Sequence, residues 1–251
     1  MQRYFLAENY EQKAYYAVGG EAYHHMIRVM RMTPGEQVYL VFQNQVSIIA
    51  ELETIGDEQV ELKEIAKEQQ DKEMPIAITI ASGYPKGDKL DLIVQKGTEL
   101  GAAGFIGFPA KTSVVKWDAK KLSKKQQRLE KIAQEAAEQS HRQVTPTVEL
   151  MDSEALFFQK LAEFDVVVVA YEEAAKQGEV AQLAQILQKI EPGSRMLAIF
   201  GPEGGLTPKE IEQLVEQSAQ ICGLGPRILR TETAPFYLLS AASYQLELSR
   251  S

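Results

Sequence analysis

The 251-residue chain contains one cysteine, Cys222, one tryptophan, Trp117, and three histidines. A lone cysteine excludes an internal disulfide and fits a reducing compartment; lying in an apolar run, it is expected to be buried and inert. So few histidines and cysteines offer no zinc-ligand spacing, and no metal is expected. Long apolar runs are also missing. Stretches such as Val166–Ala170 are far too short to cross a bilayer, and the opening MQRYFLAENYEQ lacks the basic-then-apolar pattern of a signal peptide. No membrane partner and a cytoplasmic location are therefore expected. Positive charge is in deficit, with a net charge of −8, which taken alone speaks against a nucleic-acid partner. Neither the G-x-G-x-x-G dinucleotide fingerprint nor a P-loop is present, and this disfavours a nicotinamide oxidoreductase.

What is present is an ordinary globular composition, 45% apolar and 25% charged, sufficient for a sizeable core. The chain is organised around Arg195–Thr207, RMLAIFGPEGGLT. Met196–Phe200 is a short continuous apolar run, as in a strand covered on both faces. Gly201-Pro202-Glu203-Gly204-Gly205 follows at once. Thr207, Pro208 and Glu210 then supply an N-cap, a proline at the first helical position and a capping-box glutamate. A glycine loop beyond the end of a parallel strand is where α/β sheets bind ligands, and its glycines let backbone approach a ligand closely.

The pattern divides the chain in two. Residues 1–72 read as a small domain of short strands, at Arg3–Leu6, Gln37–Phe42, Val46–Leu52 and Gln59–Ile65, with one helix over Gly20–Met32; a small barrel is expected. Arg28 and Arg31 lie three apart on that helix and are expected to share a face. The polar stretch Ala66–Met74 marks the boundary. Residues 73–251 alternate strand and helix, the mark of an α/β domain with a parallel sheet. Its expected helices include Asp88–Leu100, Lys120–His141, Glu179–Ile190 and Pro235–Leu248.

Four places carry residues that local structure does not require. Lys111–Lys131 holds eight basic residues against two acids, so a basic patch sits on an acidic body; Lys111, Lys116, Lys120 and Lys124 belong to it. Glu99 falls in the last turn of its helix, where the macrodipole disfavours a carboxylate. On the long helix, Gln139 continues the stripe Leu129, Ile132, Ala136 and so places an amide on the core face. Glu138 and Arg142 lie on an adjacent face. Finally, Leu224-Gly225-Pro226-Arg227-Ile228-Leu229-Arg230-Thr231-Glu232 forms a second loop beyond a second strand end, able to close a pocket with the first.

The motifs KGTELG, EQSHR, FGPEGGLT and LGPRILRTETAP, in this order behind a β-rich domain, resemble the RsmE family of 16S ribosomal RNA uridine-N3 methyltransferases, of the SPOUT class. The likeness runs through the whole chain. It implies a PUA-like barrel followed by an α/β domain with a deep trefoil knot, a homodimer, S-adenosylmethionine as cofactor, and the 16S rRNA of the 30S subunit as substrate. The cofactor would be held by Ile199, Phe200, Gly201, Pro202, Glu203, Gly204 and Gly205, with Leu224, Gly225, Ile228, Leu229, Arg230 and Thr231. Arg142 or Arg230 would stabilise the uracil anion, and Glu99, Glu138 or Glu232 would accept its proton or position an arginine. Arg3, Arg28, Arg31, Tyr84, Lys86, Gln139 and the basic patch would contact RNA. An RNA-binding protein without transferase activity, and a methyltransferase acting on transfer or 23S RNA, are the alternatives.

Overall fold

The computed structural model of the chain describes residues 1–173 and 182–249. It comprises two compact units, Met1–Glu73 with Glu138–Val144, and Met74–Ala137 with the chain from Thr145 on.

The first unit is built on a five-stranded sheet ordered β1-β3-β4-β5-β2, comprising β1 (Gln2–Phe5), β2 (Tyr16–Gly19), β3 (Gln37–Val41), β4 (Ser47–Ile55) and β5 (Gln59–Lys67). Only the β1–β3 pair is parallel. Irregularities at Ile49/Ala50 and Leu52/Thr54 break the β4–β5 register, and such bulges bend and twist a strand. The sheet curls into a half-barrel around Val38, Leu40, Ile48, Leu52 and Leu62, all buried. Strand β2 was not read from the sequence; YAVG is too short for its alternation to stand out. The helix α1 (Gly20–His24) continues as a π-helical turn, His25–Val29. Arg31 lies beyond it with φ 55°, so Arg28 and Arg31 do not share a helix face as expected.

An ion cluster closes this unit. Arg3, fully buried, forks onto both Glu68 oxygens at 2.7 and 2.8 Å and reaches Ser47 Oγ at 3.2 Å. Lys72 adds a 2.6 Å bond to Glu68.

The second unit carries a six-stranded sheet ordered β11-β9-β10-β6-β7-β8, with every pair parallel. Its strands are β6 (Ala77–Gly83), β7 (Gly104–Phe108), β8 (Thr147–Leu150), β9 (Val166–Ala170), β10 (Arg195–Phe200) and β11 (Gln220–Cys222). The helices are α2 (Lys89–Glu99), α3 (Ala119–Gln139), α4 (Glu154–Lys160), α5 (Gln182–Lys189), α6 (Pro208–Glu216) and α7 (Thr233–Ser243). The first residues of the helix expected over Glu179–Ile190 fall outside the described residues.

Strand β10 shows why the apolar runs are continuous rather than alternating. Met196, Ala198 and Phe200 pack on one face with Leu90 and Ile93 of α2, Leu129 of α3 and Leu239 of α7. Leu197 and Ile199 pack on the other with Phe157 of α4 and Leu214 of α6. Both faces are covered, as parallel sheets require. Cys222, fully buried in the first of these clusters, behaves as a small apolar residue. On α3 the buried stripe is Leu129, Ala133, Ala136 and Ala137, one residue round from the one expected. Gln139 is consequently exposed, and no amide is buried there.

Candidate active site

Three neighbouring strands, β9, β10 and β11, end on one edge of the parallel sheet, and their carboxyl ends open into a cavity of about 570 Å³. Strand β9 contributes Ala170 and Tyr171, β10 contributes Phe200 with the loop Gly201–Leu206, and β11 leads to Leu224 and the loop through Thr231. This is the crevice at which open α/β sheets bind ligands.

The first loop folds back on itself. A Cβ on Gly201 would stand 2.7 Å from the carbonyl carbon of Gly205 and 2.8 Å from the nitrogen of Leu206, both backbone. Gly205 has φ 69°, a conformation glycine adopts without strain. A Cβ on Gly204 would meet Thr112 at 2.8 Å, and one on Gly83 would meet Pro202 at 2.6 Å. The loop is thus seated backbone-first against its neighbours. Its C-terminal anchor is the capping box: Glu210 accepts from the Thr207 N–H at 2.8 Å, and Thr207 Oγ1 accepts from the Glu210 N–H at 3.3 Å. The other oxygen of Glu210 accepts the Lys111 N–H at 2.9 Å, and Thr112 Oγ1 donates to the Gly205 carbonyl at 2.5 Å. Only 3% exposed, Glu210 therefore both starts α6 and pins the segment after β7 against the glycine loop.

Charge gathers on the cavity wall. Glu203 Oε1 accepts the Lys86 N–H at 3.1 Å and Lys89 Nζ at 2.8 Å. Burial pushes the Glu203 carboxyl up, but Lys89 and the backbone N–H groups outweigh it and hold the group below the ordinary glutamate value. Lys89 also stands 3.5 Å from Glu232. Arg230 lines the cavity, and its guanidinium has no carboxylate partner among the described residues. Its carbonyl accepts the Thr233 and Ala234 N–H groups, which fixes the backbone of the second loop on the N-terminus of α7.

The structure brings together, around one cavity, the loop residues Phe200, Gly201, Pro202, Glu203, Gly204 and Gly205 with Leu224, Gly225, Ile228, Leu229, Arg230 and Thr231. Ile199 lies behind them, fully buried in the sheet. Other singled-out residues stand elsewhere. Glu99 pairs with Lys96 at 2.7 Å on α2. Arg142 belongs to the first unit, is 4% exposed and is ion-paired with Glu73. The same carboxylate accepts the Gln143 and Val144 N–H groups at 2.9 and 3.2 Å. The face shared by Glu138 and Arg142 was an artefact of extending the helix: α3 ends at Gln139, and His141 turns the chain with φ 58°.

Two residues expected to reach RNA are occupied inside the fold. Tyr84 is 2% exposed and donates to the Met151 carbonyl at 2.5 Å. Arg3 is locked on Glu68. By contrast Arg28, Arg31, Lys86, Lys111, Lys116, Lys120 and Lys124 are exposed, although Lys111 holds Glu154 at 2.6 Å.

Sequence reasoning missed Lys89 and Tyr171. Lys89 carried a usable signal: a cation in the first turn of a helix opposes the macrodipole, the argument applied in mirror image to Glu99. Tyr171 was findable as the residue following β9.

A model of the RNA methyltransferase domain matches residues 72–243, and one of the RNA methyltransferase PUA domain matches residues 18–65. The ribosomal RNA small subunit methyltransferase E of Bacillus subtilis (strain 168) is 49% identical over 253 residues, covering 100% of this chain and 99% of that protein. Among solved structures, a crystal structure of a hypothetical protein superposes with a TM-score of 0.92 at 47% identity, covering 98% of this chain and 99% of the other. The ribosomal RNA small subunit methyltransferase E of Neisseria gonorrhoeae, crystallised with S-adenosyl methionine, superposes with a TM-score of 0.80 at 27% identity over 97% of each chain. The chain belongs to the ribosomal RNA small subunit methyltransferase E family, combining an RNA methyltransferase domain with its PUA domain.

Proposed function

We propose that the protein transfers a methyl group from S-adenosylmethionine to N3 of one uridine in the decoding region of 16S rRNA, acting on the 30S subunit in the cytoplasm. The observation that carries this is the paired-loop cavity at the ends of β9, β10 and β11, in a chain of this family. The residues fit the cofactor. The glycine loop brings backbone without side chains to the cavity, apolar Phe200, Leu224 and Leu229 line it beside a purine, and Arg230 is at hand for anionic groups. When bound, the sulfonium cofactor supplies an electrophilic methyl group.

The chain's own residues have three tasks. They must hold the base against the methyl group, accept the proton that neutral uracil carries on N3, and stabilise the charge left over N3, O2 and O4. Arg230 is our candidate for the last, because it lines the cavity and its charge has no carboxylate partner among the described residues. Glu232 is our candidate proton acceptor; its Oε2 is buried, makes no hydrogen bond among the described residues and stands 3.5 Å from Lys89. Arg142 and Glu99 are less suited, each directly hydrogen-bonded to a charged neighbour, Glu73 or Lys96. Glu138 stays a candidate from its motif alone. N3 lies on the Watson–Crick edge, so the uridine must be exposed first. Arg28, Arg31 and Lys116–Lys124 supply exposed positive charge for phosphate. This reading includes the trefoil knot in the second unit and a homodimer. The exposed Tyr237 of α7, with Tyr244 and Leu248 in the π-helical turn that follows it (Tyr244–Leu248), support the dimer.

Thermal unfolding with cofactor tests the cavity. S-adenosylmethionine at about 100 times its Kd stabilises the wild type by about 2.7 kcal/mol. Gly201→Ala forces the loop apart at a cost of about 1–3 kcal/mol and loses most of that cofactor-dependent gain. No gain in the wild type contradicts the proposal.

A further inference from the structure

We propose that Lys89 is a positioning residue that ties the two ligand loops together, so that the cavity's affinity for its cofactor depends on an ammonium group bridging Glu203 and Glu232. The inference rests on the reading that this cavity binds S-adenosylmethionine.

Glu203 stands at the tip of the loop after β10, and Glu232 ends the loop after β11, at the N-cap of α7. The two loops follow different strands, and both contribute residues to the cavity lining. Lys89 Nζ lies 2.8 Å from Glu203 and 3.5 Å from Glu232. It is the first residue of α2, where the helix dipole disfavours a cation, and Asp88 makes no side-chain cap there. Local helix energetics therefore do not account for a lysine at this position; the two carboxylates do. The Lys86 N–H on Glu203 fixes that side of the bridge at a second point. Glu232 has no such second support: its Oε2 makes no hydrogen bond among the described residues, so Lys89 is the group that orients it. Without the ammonium, Glu203 and Glu232 lose the cation that stands between them, and the tie between the two loops is gone.

Calorimetric titration of the full chain with S-adenosylmethionine tests this. Lys89→Met raises the Kd about five- to tenfold, the sum of two partly exposed ion pairs, and Lys89→Arg recovers most of the loss. Glu203→Gln and Glu232→Gln each weaken binding in the wild type, and each loses its effect in a Lys89→Met background. A Lys89→Met protein that binds as wild type does, or carboxylate effects that persist undiminished without Lys89, overturns the proposal while leaving the cavity reading intact. A wild type that does not bind the cofactor overturns both. If Lys89→Met fails to fold, the Glu203→Gln/Glu232→Gln double-mutant cycle decides: less-than-additive losses support the bridge, and full additivity overturns it.

Discussion

Arg230→Ala is expected to lower the rate of methyl transfer by about 10²–10³-fold, the usual loss when one fixed donor to a developing anion is removed. The expectation follows from position. Arg230 is held at its backbone by the N-terminus of α7, lines the cavity, and has no competing carboxylate among the described residues. A guanidinium in that state is free to meet charge that appears only as the uracil proton leaves. The loss should fall mainly on kcat, with Kd for S-adenosylmethionine changing much less, because the anion exists only in the transition state. Single-turnover rates and cofactor titration on the same protein separate the two. Equal losses in affinity and rate would recast Arg230 as a binding residue.

Glu68→Gln is expected to destabilise the first unit by about 3–5 kcal/mol, since it leaves the fully buried Arg3 charge without its partner. The exposure of the two side chains, 0% for Arg3 and 6% for Glu68, is what places this pair outside the weak surface class. Burial pushes the Glu68 carboxyl up, but the bonds from Arg3, Lys72 and Ser47 outweigh it and hold it below the ordinary value of 4.5. A carboxyl lowered by folding binds fewer protons in the native state than in the unfolded one. Its contribution is therefore complete above pH 4.5 and is lost as the pH falls through the lowered native value. Denaturant unfolding of wild type and variant at neutral pH and in acid should show the difference shrinking in acid. A constant difference across that window would remove the ion pair as its cause.

The parts of the sequence that local chemistry determines were legible. The run Met196–Phe200, the glycine loop and the Thr207–Glu210 cap each specify their own geometry within a few residues, and they stand as expected. The second loop was legible for the same reason, through Gly225, with φ 80°, and the strand before it. What was not legible depends on residues far apart in sequence. Nothing near Arg142 announces that Glu73, 69 positions away, will take its charge, or that the end of α3 will rejoin the first unit. Arg3 and Tyr84 were expected to reach RNA, because nothing near them in sequence announces their partners, Glu68 and the Met151 carbonyl. Gln139 failed differently: a stripe of small alanines can be drawn on either of two adjacent helix faces, and Ala133 with Ala137 decided the matter.

The most direct measurement is transfer of labelled methyl from S-adenosylmethionine to unmodified 30S subunits, naked 16S rRNA and bulk transfer RNA, with the product nucleoside identified by mass. The account predicts 3-methyluridine at a single position, formed in 30S subunits. Label in transfer RNA alone, a different methylated nucleoside, or no label despite normal cofactor binding would contradict it.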